Sequence, residues 1–179
     1  MLAIFKREFK SYFQNVIGWL FVAALLAVYG LYFYVYNLKN GYPYISYDLK
    51  GIGFIMMIAV PILTMRSLSD ERKTKTDQLM LTSPVSVGRI VAGKYFAMAA
   101  VYTIDIAIFA LSPLVLSIYG KVALSEAYVA LFGYWLYGLS CIAVGLFISS
   151  ISESVIISAI LTFAALFLSY MMQSITGLI

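Results

Sequence analysis

From Val16 to Tyr36 the chain runs 21 residues without a charge. Coiled as a helix at about 1.5 Å per residue, that stretch crosses the roughly 30 Å hydrocarbon core of a bilayer. Four more apolar stretches follow, at 51–65, 95–119, 126–147 and 155–172. Composition supports reading them all as spans. The chain is 63% apolar and 11% charged over 179 residues, whereas soluble domains are about 45–50% apolar and 25% charged. A core of this size cannot hide that excess, so a water-soluble globular protein is excluded and the surplus faces lipid. The predicted fold is all-α: a polytopic transmembrane helical bundle of five spans, forming a single domain over 1–179.

The segments between the spans set the orientation. In Met1–Asn15, Leu2, Phe5, Phe9, Tyr12 and Phe13 recur at helical spacing, with Lys6, Arg7, Glu8 and Lys10 mostly on the other side. This pattern predicts an amphipathic helix lying in the membrane interface. A cleavable signal peptide fits poorly, because the Phe residues interrupt the basic region and no small-residue cleavage site follows. With the N-terminus cytoplasmic, nine basic residues fall inside (Lys6, Arg7, Lys10, Arg66, Arg72, Lys73, Lys75, Arg89, Lys94) and three outside (Lys39, Lys50, Lys121). That is a positive-inside bias, and it accounts for the net charge of +4 without nucleic acid as a partner. Tyr29, Tyr32, Tyr34 and Tyr36 close the first span as an interfacial belt. Pro61 removes a hydrogen bond from the second span and predicts a kink there.

Residues that carry enzyme chemistry are scarce. There is no His, and Cys141 is the only cysteine, so the commonest base, a cysteine metal cluster and a disulfide framework are all excluded. Gly88 to Lys94 satisfies G-x-x-x-x-G-K, but Tyr95 replaces the Mg²⁺-holding Ser or Thr. No strand or soluble domain precedes the run, so we do not read it as a phosphate-binding loop. Asp105 is the one ionisable residue deep within a proposed span. Placing such a group at mid-membrane costs roughly 2.5–3.5 kcal/mol and makes it a candidate for a transport path. Alternatively the helix sits lower, leaving Asp105 near the cytoplasmic interface with Lys94 or Arg89. Cys141, Gly145 and Ser149 form a small-residue stripe, suited to close packing within the subunit or to a dimer seam. Ser125-Glu126 and Ser152-Glu153 read as caps opening the fourth and fifth spans.

The polar stretch 66–94 holds nine of the twenty charges. Ser69 is a candidate N-cap, Asp70 and Glu71 suit a first helical turn, and Ser83-Pro84 is a stop. A short cytoplasmic helix over Asp70–Leu81 is predicted, with Leu79 and Leu81 as its apolar residues. A solvated connector is the other reading, although nearly thirty residues exceed what joining two spans requires.

The run Arg66…Asp70-Glu71-Arg72-Lys73…Thr76-Asp77-Gln78-Leu79-Met80-Leu81-Thr82-Ser83-Pro84…Gly93-Lys94 resembles the segment after the second span of ABC-2 type permeases. Phe5-Lys6-Arg7-Glu8-Phe9-Lys10-Ser11-Tyr12-Phe13 resembles the start of the same family, closest to its gliding-motility and NosY-like bacterial members. The resemblance covers about Met1–Tyr102, and beyond that only the hydropathy layout matches. It implies a permease subunit of an ATP-binding cassette transporter in a bacterial inner (plasma) membrane, usually an exporter. The chain itself would be no enzyme and bind no cofactor. ATP and Mg would sit on a separate cytoplasmic ATPase subunit, and a second permease subunit, identical or paralogous, would complete the pore. The helix 70–81 would be the coupling helix, with Asp70, Glu71, Arg72, Lys75, Gln78 and Leu79 meeting the ATPase, and the interfacial helix would meet the same partner. Family members have six spans, so a sixth is expected to be missing here. Two other classes stay open: an ion-coupled secondary transporter using Asp105, and a membrane scaffold.

Overall fold

The computed structural model describes residues 2–69, 86–119 and 122–176. The predicted helix Asp70–Leu81, and with it Asp70, Glu71, Arg72, Lys75, Gln78 and Leu79, lies outside the described residues. Seven α-helices and one π-helical segment make up the described fold, with no strand among these residues: α1 (Leu2–Gln14), α2 (Val16–Tyr32), the π segment Phe33–Lys39, α3 (Ser46–Thr64), α4 (Val87–Phe109), α5 (Ser112–Tyr119), α6 (Leu124–Ile151) and α7 (Val155–Thr176). Among the described residues, five spans are long and apolar enough to cross a membrane: Val16–Lys39, Ser46–Thr64, Val87–Tyr119, Leu124–Ile151 and Val155–Met172. The bundle therefore has a base, where α1 lies and where α3 and α6 end, and an opposite end where the π segment and α5 sit.

Helix α3 is the most buried span and packs against α2, α6 and α7. Pro61 does not end it. The helix runs on to Thr64, and the Met65 amide still donates to the Pro61 carbonyl at 2.9 Å. Small residues set the close approaches. A Cβ on Gly145 of α6 would stand 2.5 Å from Thr64 Oγ1 on α3, and one on Gly18 would stand 2.5 Å from the Tyr12 carbonyl oxygen at the α1–α2 elbow. The stripe Cys141, Gly145, Ser149 is buried along α6, so these residues pack within the subunit.

The third span differs from the single helix expected over 95–119. It begins eight residues earlier, at Val87, and breaks after Phe109. A continuous helix would drive the Pro113 ring into the Phe109 carbonyl. The chain instead turns at Ala110–Leu111 and restarts with Pro113 in the first turn of α5, where its missing N–H costs nothing. The Ser112 hydroxyl donates to the freed Phe109 carbonyl at 2.7 Å. The expected caps also move. Ala123, not Ser125, is the N-cap of α6, while Glu126 does occupy its first turn. Ser152 closes α6 rather than opening α7, and the first bond into α7 runs from the Ser158 amide to the Ser154 carbonyl at 2.9 Å.

Candidate functional site: the base of the bundle

Helix α1 has its polar residues on one face, and its aromatic residues line the other: Phe5 stacks on Phe9 at 5.8 Å and Phe9 meets Phe13 at a tilt, 5.1 Å between ring centroids. The chain then turns through Asn15, whose backbone is extended, and enters α2. Trp19 closes the elbow, its indole N–H donating to the Phe13 carbonyl at 2.9 Å while its ring meets Phe13 edge-on at 5.3 Å. Held in this way, α1 packs chiefly on α4.

Lys94, in the second turn of α4, is the link between α1 and the rest of the base. Its side chain is 2% exposed. The ammonium donates to the Ser67 carbonyl at 2.8 Å and lies 3.5 Å from Glu8 Oε1 on α1. A buried lysine is tolerated only when its charge is paired and its protons are used, and both conditions are met here. One side chain thus joins α1, α4 and the chain just beyond α3. The residues Gly88–Lys94 are helical, so this stretch forms no phosphate loop.

Ser149, near the end of α6, holds the same exit from α3. Its hydroxyl accepts from the Leu68 and Ser69 amides, each at 3.2 Å, and the Ser69 hydroxyl donates to the Ser149 carbonyl at 3.2 Å. The last described residues before the 70–85 stretch are therefore clamped to α6 through Ser149 and to α1 and α4 through Lys94. In the sequence Lys94 is an orientation signal, a family landmark and a possible neighbour of Asp105, and Ser149 is a small residue in a stripe. No periodicity marks either as a junction, because the signal lies in pairs of residues far apart in the chain.

Asp105 lies three turns along α4 from Lys94, about 16 Å at helical rise. It is 0% exposed, and neither carboxyl oxygen has a hydrogen-bond partner among the described residues. Lys94 is engaged with Ser67 and Glu8 at the base and makes no ion pair with Asp105 among the described residues. Tyr102, one turn before Asp105, donates to the Tyr134 carbonyl of α6 at 2.8 Å, its ring filling the space over Gly138.

Toward the opposite end are two polar pairs that the sequence did not single out. The buried Asn37 of the π segment donates to the buried Asp48 of α3, and Tyr29 of α2 is bonded to Ser112 of α5. The wide π turn carries Asn37 inward from the end of α2, and such turns are frequent at functional positions.

A family profile described as "ABC-2 family transporter protein" matches residues 6–179, nearly the whole chain. The chain belongs to the ABC-2 transporter family. This ABC-2 protein is accordingly a multi-pass membrane component of an ATP-binding cassette transporter, in a family that works with an ATPase subunit. Among curated proteins and solved structures, none matches it. The match reaches past Tyr102, where motif resemblance ended, through α6 and α7.

Proposed function

We propose that this ABC-2 chain is the permease subunit of an exporter driven by a separate ATPase. The subunit pairs with a second permease, identical or paralogous, with its N-terminus on the cytoplasmic side of a bacterial inner membrane. ATP and Mg²⁺ bind the ATPase subunit, which docks on the 70–81 segment through Asp70, Glu71, Arg72, Lys75, Gln78 and Leu79. The gliding-motility and NosY-like permeases are the nearest subfamily by motif.

The double clamp on residues 67–69 carries this reading. A push delivered to the segment that follows enters the bundle at Ser67–Ser69, where Lys94 relays it to α1 and α4 and Ser149 relays it to α6. Three helices then move with one contact. A solvated connector needs no such attachment, and two buried anchors on three consecutive residues favour a segment that transmits force. The test is a detergent pull-down of the N-terminally tagged protein. Recovery of a P-loop ATPase, lost when 70–81 is replaced by a Gly/Ser linker, is the expected outcome. An intact preparation that brings down no ATPase overturns the assignment.

A second reading rests on Asp105. A carboxyl group without a partner inside a span is costly, and such groups mark ion paths. In an ion-coupled carrier, transport would collapse with the ion gradient and ignore ATP. Flux in proteoliposomes, with ATP and the gradient varied independently, separates the two.

A further inference from the structure

A polar cleft of about 520 Å³ opens at the base, between α1, the α1–α2 elbow and the residues following α3. Arg7, Arg66 and Lys94 bring three positive charges to its walls, and Glu8 brings one negative charge. Glu8 is already shared, 2.8 Å from Arg7 and 3.5 Å from Lys94. Arg66 is exposed, and no carboxylate stands within ion-pair distance of it among the described residues. Ser11 and Asn15 add hydrogen-bonding groups to the same wall. The cleft therefore presents two guanidinium groups, Arg7 and Arg66, whose forked donors match the oxygens of a phosphate, and Arg66 has no ion pair among the described residues.

Its surroundings fix the depth. Trp19, 61% exposed and held by its indole bond to Phe13, stands in the first turn of α2, the helix that brings Ile17 to the cleft. Trp at the end of a span lies at headgroup level. Val16 and Leu20, also exposed on α2, stand one residue before and one turn after Ile17, which lines the cleft.

We propose that this cleft binds the phosphate of an anionic phospholipid headgroup, with the acyl chains along α2. The proposal rests on the reading of α1 as an interfacial helix at the cytoplasmic leaflet, the leaflet whose anionic lipids attract basic segments. An acidic side chain of the ATPase would meet the same cations. The lipid is favoured because the helix that brings Ile17 to the cleft also exposes Val16, Trp19 and Leu20 in its first turns, an apolar surface that a soluble carboxylate does not need.

The test uses the purified full chain in neutral detergent. The thermal midpoint is followed during titration with phosphatidylglycerol, with phosphatidylcholine of the same chains, and with glycerol phosphate. Phosphatidylglycerol is expected to raise the midpoint and the other two to leave it unmoved. The pair Arg7→Gln with Arg66→Gln, both at exposed positions, should weaken the apparent affinity for phosphatidylglycerol at least tenfold. Arg66→Gln alone, which leaves the Arg7–Glu8 pair in place, should weaken it severalfold. An equal response to the two lipids overturns the site, as does unchanged affinity in the folded variants. Glycerol phosphate acting as well as the lipid overturns the lipid assignment in favour of a soluble phosphate. A variant pair that loses ATPase capture but keeps its lipid response assigns the cleft to the ATPase and overturns the proposal. The titration contains no ATPase, so its failure is distinguishable from failure of the permease reading.

Discussion

The Ser69 hydroxyl donates to the Ser149 carbonyl at 3.2 Å, joining the exit of α3 to the last turns of α6 across eighty positions of sequence. The Ser149 hydroxyl answers by accepting two amides, those of Leu68 and Ser69. Ser149→Ala removes that acceptor and leaves two N–H groups unpaired in a buried place. The expected cost is about 1–3 kcal/mol, read as a lowered thermal midpoint. ATP-driven flux should fall further than the midpoint alone explains, because the clamp beside the 70–81 segment is loosened.

Lys94→Met keeps the length of the side chain and deletes its charge. Glu8 then loses a cation and the Ser67 carbonyl loses its donor. Loss of a charged hydrogen bond at a buried group predicts about 1.5–3 kcal/mol of destabilisation. Lys94→Arg, which restores the charge, should not restore the stability, since a planar fork does not fit a cavity shaped for a compact ammonium. A double-mutant cycle with Glu8→Gln, read by thermal unfolding, should give a nonzero coupling energy; additivity would mean that the 3.5 Å pair contributes nothing.

Asp105→Asn should behave in the opposite way. Neither carboxyl oxygen has a hydrogen-bond partner among the described residues, so an amide of the same shape breaks no bond there. The thermal midpoint is expected to hold or rise while flux changes. A fall of more than about 1 kcal/mol in stability would show that Asp105 has a structural partner.

Gly138 and Gly145 are predicted to be intolerant for a geometric reason. A Cβ at Gly138 would enter the Tyr102 ring, and one at Gly145 would lie 2.5 Å from Thr64 Oγ1. Overpacking of this kind costs about 1–3 kcal/mol. Gly145→Val should lower the thermal midpoint, whereas Gly133→Ala on the same helix, where a Cβ meets nothing, should not.

Much of the architecture was legible in the residues. The uncharged run 16–36 and its four successors announce five spans, and the Phe5, Phe9, Phe13 spacing announces α1. Both are local properties, since hydropathy over about twenty residues suffices for a span and one helical period for an amphipathic face. Pro113 is the sequence signal for the break between α4 and α5, since its ring clashes with the Phe109 carbonyl in a continuous helix. Glu126 was placed correctly in the first turn of α6, while its neighbour Ser125 was assigned a cap that Ala123 holds.

The sequence by itself determined that the chain is a helical membrane bundle and where its polar segments fall, because transfer of a segment into lipid depends on that segment alone. Only the tertiary structure decided which faces turn inward. In a span apolar on every side, the lipid-facing and protein-facing residues have the same chemistry, so no periodicity tells Tyr102, buried on Tyr134, from Phe96, exposed on the same helix. For the same reason the sequence showed Lys94 as an orientation signal and Asp105 as its candidate neighbour. Packing gave Lys94 to Glu8 and Ser67, and left Asp105 three turns away with no hydrogen-bond partner among the described residues.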